Sequence, residues 1–257
     1  MNAGTTSLAP ANSLRAEWGQ LARFLKRPTL PARAAPPRLA SLVALGRLLM
    51  LDFAAMIVLL AIAGTVMSTG VDVPETALAG VEIGSAIIFA VVIGAPVVEE
   101  ILFRGWLSGR PGHVLALLAF GLGAVGITML LALSGFSYGT DALESGLAAM
   151  GIGVIGGALI AGIVLFLLRG RPPMGWFSRA FPVFFWLSTF GFSLIHLFNF
   201  EPDEMTSALP LVLPQFITGM LLGYARVHYG LWSSMLLHAL HNGAFISLVL
   251  WAGSAAG

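Results

Sequence analysis

The stretch AVVIGAPVVEEILFRGWL, residues 90–107, decides how the chain is read. An apolar run is broken by two adjacent carboxylates, Glu99 and Glu100, and by Arg104 four residues after the second. On a helix, Glu100 and Arg104 are i and i+4, so they lie on one face and neutralise each other. Glu99 is turned about 100° away and is left without a local partner. Pro96 lacks the N–H that a helix interior needs, and predicts a kink just ahead of the pair. A buried ion pair that fixes packing accounts for Glu100 and Arg104. It does not account for Glu99.

The rest of the chain sets that stretch in lipid. Of 257 residues, 58% are hydrophobic and 10% charged, against about 25% charged in soluble domains. Mean hydropathy is +0.92. There is no cysteine, which excludes disulfides, thiolate nucleophiles and Cys-type metal sites. Residues 1–40 are polar and rich in Pro and Arg, without the short apolar core of a signal peptide. They read as a flexible basic cytoplasmic tail, followed by a membrane-embedded helical domain over 41–257. Its arginines favour anionic lipid.

A helical span takes about 20 mostly apolar residues. The fold class is therefore all-α, a polytopic bundle of about seven transmembrane helices, at roughly 48–68, 78–107, 113–133, 146–168, 181–199, 209–226 and 230–252. Turn signals such as Arg110-Pro111-Gly112 and Arg171-Pro172-Pro173 separate them. Arg15, Arg23, Lys26, Arg27, Arg33 and Arg38 precede the first span, and Arg110, Arg169, Arg171, Arg179 and Arg226 fall in alternate loops. The intervening loops carry acids only. The positive-inside rule then places the N-terminus in the cytoplasm and the C-terminus outside. Gly153-xxx-Gly157 in the fourth span reads as close helix packing.

Ionisable side chains at membrane depth cost a few kcal/mol on insertion scales, and their retention points to function. Three groups stand out: Glu99-Glu100 with Arg104, Phe192-xxx-His196, and His238-xxx-Asn242. His238 and Asn242 share a helix face, from which His241 is rotated away. Counted at the helical rise, Glu99 lies roughly 16 Å below Arg110, and His238 and Asn242 roughly 12 and 18 Å below Gly230. His196, roughly 25 Å from Arg179, fits that layer less well. Arg47 with Asp52, and Glu82, read as structural groups near span ends.

EExxxR, FxxxH and HxxxN, in that order on separate helices over about residues 78–252, resemble the CPBP family of intramembrane proteases. That family includes type II CAAX prenyl endopeptidases and the bacterial Abi proteins. The resemblance implies an all-helical membrane fold in a bacterial cytoplasmic membrane, a site open to its cytoplasmic half, and peptide-bond hydrolysis. Carried over, Glu99 and His196 would activate water, and His238 and Asn242 would stabilise the oxyanion. Glu100, Arg104 and Phe192 would support them. Amide hydrolysis needs such a set: a base, donors for the developing O⁻, and a proton for the leaving amine.

Metal-free, glutamate-dependent hydrolysis is favoured, because Asn242 stands where the second ligand of a zinc-binding HxxxH pair would be. Were zinc held instead, Glu99, His196 and His238 would hold it. The partners expected are membrane lipid and a peptide or membrane-protein substrate. No phosphate loop or basic reading helix points to nucleic acid. The competing readings are a non-catalytic binding or bacteriocin-immunity protein and, more weakly, a proton-coupled transporter.

Overall fold

The structure is a computed structural model that describes residues 11–76, 81–139 and 141–256, the side chains of 253–256 excepted. Every regular element among these residues is helical. In order they are α1 (Leu14–Lys26), α2 (Leu39–Ser68), α3 (Ser85–Phe89), a π-helical segment (Ala90–Gly94), α4 (Ala95–Arg104), α5 (Pro111–Leu133), α6 (Ala142–Leu168), α7 (Gly175–Arg179), α8 (Phe181–Ile195), α9 (Leu213–Tyr229) and α10 (Leu231–Ala256). Short 3₁₀ turns cover Gly105–Ser108, His196–Asn199 and Leu209–Val212. The chain divides into two compact units, one made of residues up to Leu107 and from Arg179 onward, the other of Ser108–Ser178.

Among the described residues, six helical stretches are long and apolar enough to cross a membrane: Leu39–Ser68, Ser85–Ser108, Pro111–Leu133, Ala142–Leu168, Phe181–Asn199 and Leu231–Ala252. Their large apolar side chains face outward, as on α2 at Met50, Ile57, Val58 and Ile62. Such surface is tolerable only in lipid, where apolar exposure carries no hydrophobic cost. The protein is therefore an integral membrane protein. The stretch read as a sixth span, 209–226, becomes a 3₁₀ turn and the 17-residue α9, which is not among the six. Its buried residues run from Thr218 to Tyr229 on nearly every face. It is the inner helix of the first unit, packed on α2, α8 and α10. Gly219 and Gly223 allow the approach of α8: a Cβ at Gly223 would lie 2.7 Å from the Phe185 ring. Gly230, at φ +100°, turns the chain from α9 into α10, a conformation that glycine adopts without steric penalty.

Within the stretch expected to be a flexible tail, 1–40, the described residues begin at Ala11. Residues 14–26 form α1, capped by Ser13 Oγ accepting from Ala16 N–H at 3.2 Å. One face of α1 is apolar, and Leu21 and Phe24 are buried. The Phe24 ring packs edge-on against Phe185, Tyr224 and His228. Glu17 is fully buried and accepts hydrogen bonds from the hydroxyls of Tyr229 (2.6 Å) and Tyr224 (3.2 Å) and from Ala11 N–H (3.3 Å). Trp18 Nε1 donates to Arg47 O at 2.9 Å, and the Arg47 guanidinium caps the carbonyls of Ala11 and Asn12. Composition alone could not disclose this, because the apolar partners of α1 lie about two hundred residues away. Arg15, Arg23, Lys26 and Arg27 remain on the exposed side.

In the second unit, α5 and α6 pack through glycine. A Cβ at Gly157 would lie 2.6 Å from Phe120 O, and one at Gly153 2.5 Å from Ala124 O. The Gly153-xxx-Gly157 pattern thus faces α5, as its spacing predicts.

Candidate active site

The kink expected at Pro96 takes the form of the π-helical segment just before it. Ala95 N–H donates to Ala90 O, an i to i−5 bond. In that register the next bond would run from residue 96 to Val91 O, but proline has no N–H to give. The orphaned Val91 carbonyl accepts instead from Asn242 Nδ2 at 2.8 Å. Asn242 therefore ties α10 to the wider turn, and an amide has a second N–H left over.

Beyond the turn, α4 presents both glutamates. Glu100 and Arg104 form the expected i, i+4 pair at 2.8 Å, both fully buried. The arginine also lies over the Phe192 ring, its Cζ 3.8 Å from the centroid, a cation–π contact. The same Glu100 oxygen accepts from His238 Nδ1 at 3.1 Å. Glu100 thus orients the imidazole as well as neutralising Arg104, a connection that i, i+4 arithmetic on one helix does not reveal. Its grip on Nδ1 leaves Nε2 pointing to the other glutamate. Nε2 stands 3.8 Å from Glu99 Oε2, which is beyond hydrogen-bonding distance. Oε2 of Glu99 is buried yet has no hydrogen-bond partner among the described residues, although the side chain is 26% exposed.

His196 follows α8 directly, as the first residue of a 3₁₀ turn. Its Nδ1 donates to Phe192 O at 2.7 Å, which fixes the ring and leaves Nε2 free to accept. Phe192 is 1% exposed and joins the parts. Its ring meets His196 edge-on at 4.8 Å and His238 at 5.6 Å, while its other face carries Arg104. The depth mismatch counted along the fifth span does not separate His196 from the rest, because Phe192 touches both histidines.

Six of the seven residues singled out in sequence are linked through contacts among α4, α8 with its 3₁₀ turn, and α10 of the first unit, while Asn242, one turn from His238 on α10, contacts the π turn. Among the described residues, no group of three or more His, Asp or Glu side chains is arranged to hold a metal ion. His196 and His238 each commit Nδ1 to another partner and keep Nε2 open.

Two features were missed. Gly219 of α9 permits the close packing: a Cβ there would lie 3.2 Å from the Phe192 ring and 3.4 Å from Arg104 Nη2. Asp52, read beside Arg47 as a structural group near a span end, does not pair with it. Asp52 is 1% exposed and meets His241 Nδ1 at 2.5 Å. Arg47 had reached the interface carbonyls instead. Nothing local signals a contact across 189 residues.

The model of one protein family, described as type II CAAX prenyl endopeptidase Rce1-like, matches residues 82–244. No curated protein and no solved structure matches the chain. The matched segment includes the π turn, both glutamates, Arg104, Phe192, His196, His238 and Asn242. The chain belongs to the Rce1-like family of type II CAAX prenyl endopeptidases.

Proposed function

We propose that the protein is an intramembrane endopeptidase that hydrolyses a peptide bond of a membrane-associated, prenylated substrate, with water activated by Glu99 and no metal. The observation that carries this reading is the division of labour between adjacent acids. Each keeps a buried Oε2 without a hydrogen bond among the described residues, but Oε1 of Glu100 is taken up by Arg104 and His238, whereas Glu99 stands 3.8 Å from His238 Nε2 with no such partners.

In the proposed sequence, water lies between Glu99 and Nε2 of His196. Its proton passes to Glu99 as its oxygen bonds to the scissile carbonyl carbon. The carbonyl oxygen takes the negative charge and accepts from His238 Nε2–H and the second N–H of Asn242, donors already positioned before the charge develops. Collapse breaks the C–N bond, and Glu99 passes its proton to the leaving amine, which restores the carboxylate. His238 then uses both ring nitrogens as donors, Nδ1 to Glu100 and Nε2 to the oxyanion.

Base placement supports a cytoplasmic N-terminus, with α9 as a seventh membrane-embedded helix and the site open to the cytoplasmic half of the bilayer. The test is to incubate purified protein in lipid nanodiscs with a prenylated peptide in H₂¹⁸O and weigh the fragments. The reading expects two fragments, the new carboxylate carrying ¹⁸O. An intact peptide under these conditions, across several prenyl lengths and sequences, contradicts it.

A further inference from the structure

Within five residues, α10 sends polar side chains to three neighbours. His238 reaches Glu100 in α4, Asn242 reaches Val91 in the π turn, and His241 reaches Asp52 in α2. The proposed reaction uses the first two and leaves the third unexplained. Asp52 is held from two sides: Oδ2 takes His241 Nδ1 at 2.5 Å, and Oδ1 accepts from Thr218 Oγ1 at 2.9 Å. Asp52 and Thr218 are buried, at 1% and 3% exposure, and His241 is part-buried, at 19%.

The cluster adjoins the site along two chains. On α10, His241 precedes Asn242 and lies one turn beyond His238. On α9, Thr218 precedes Gly219, which packs on Phe192 and Arg104. Elsewhere on α10, Ser233, Ser234, Leu237 and Ile246 are buried and Ser233 Oγ donates to Ala225 O at 2.9 Å, while Leu240, Phe245, Leu248 and Leu250 are exposed apolar side chains. In lipid the outer surface does not resist a small rotation, so the contacts of the inner face must do so. At a helix radius of about 5–6 Å, a turn of about 10° about the axis moves a side-chain tip by about 1 Å. A displacement of that size at reacting groups costs on the order of 10²-fold in rate. Polar contacts to separate helices add to the buried packing of Leu237 and Ile246 in opposing such rotation, and the contact to α2 acts on a side chain that α4 does not hold.

We propose that Asp52 and His241, with Thr218, are positioning residues that lock the rotation of α10 and so present His238 and Asn242 to the two glutamates. None of the three touches the reacting groups. The geometric part stands without the proposed function; only the rate effect rests on it.

The chain has five histidines and no cysteine, which makes imidazole ¹⁵N spectra of full-length protein in nanodiscs readable. His238 is assigned by the signals lost in His238→Gln. Two variants separate positioning from mere stability. Asp52→Leu/His241→Leu removes both partners together, so no buried charge is orphaned and folding is retained. His241→Asn keeps an N–H close to the position of Nδ1. The proposal expects displaced His238 ¹⁵N signals in the double variant and wild-type signals in His241→Asn. Unchanged His238 signals in the folded double variant, or displaced ones in His241→Asn, overturn it. With a prenylated, internally quenched peptide, the double variant is expected to lose about 10²-fold in kcat with KM unchanged. Should wild type leave that peptide uncut, the proposed function fails while the spectra still decide the positioning role.

Discussion

Glu99 and Glu100 are neighbours in sequence with opposite surroundings. Glu100 has an arginine one turn away, a histidine from α10, and no exposed surface. Removing one member of a buried ion pair strands the other and costs about 3–5 kcal/mol. Glu100→Gln should therefore lower thermal stability by that order, because Arg104 keeps its charge at 0% exposure. Cleavage should be lost with it, since His238 loses the acceptor that orients Nδ1. A variant as stable as wild type would remove the anchoring role of Glu100. The asymmetry was legible in the sequence as far as one helix goes, because 3.6-residue periodicity separates adjacent side chains by about 100°. The contact between Glu100 and His238 was not, since it joins residues 138 positions apart.

At the scale of the element, Pro96 and Asn242 act as a unit. The proline withholds an N–H from Val91 O, and the amide of another helix supplies one. A buried carbonyl left without a donor costs about 1–3 kcal/mol. Asn242→Ala should lower stability by about that amount. In a Pro96→Ala background, where residue 96 regains its N–H, the cost of Asn242→Ala should shrink to a few tenths of a kcal/mol. Denaturation of the four proteins of this cycle checks it; equal costs in both backgrounds would contradict the substitution of amide for backbone. If Asn242 also donates to the oxyanion, Pro96→Ala restores stability and leaves cleavage impaired. Sequence gave notice of a kink at Pro96, but the π register and its distant donor depend on how α10 lies against the turn.

For the molecule as a whole, the first unit is tied at both of its polar levels. At one end, Glu17 collects the hydroxyls of Tyr224 and Tyr229 and docks α1. Further in, Asp52, His241, Glu100 and Arg104 join α2, α4, α9 and α10. Glu17→Leu should strip α1 of its anchor and leave the buried Tyr229 hydroxyl without its acceptor, at about 1–3 kcal/mol. Limited proteolysis should then cut between Arg27 and Arg38 faster than in wild type, while an unchanged cutting rate would show that Phe24 and Arg47 suffice. The membrane character, most of the spans and the composition of the site were readable because each follows from local hydropathy or a short motif. The inner α9 was not, because burial by protein and burial by lipid look alike in an apolar sequence, and the docked α1 was not, because its partners lie far along the chain.

The account stands or falls with Glu99 as the group that activates water. The direct measurement is the initial rate of cleavage of a prenylated peptide by Glu99→Gln in nanodiscs, per mole of folded protein, alongside its melting temperature. Losing a general base costs typically 10²–10⁴-fold. A fall of about that size is predicted, with a melting temperature close to wild type because Glu99 anchors nothing. Cleavage within a few-fold of wild type would contradict the mechanism.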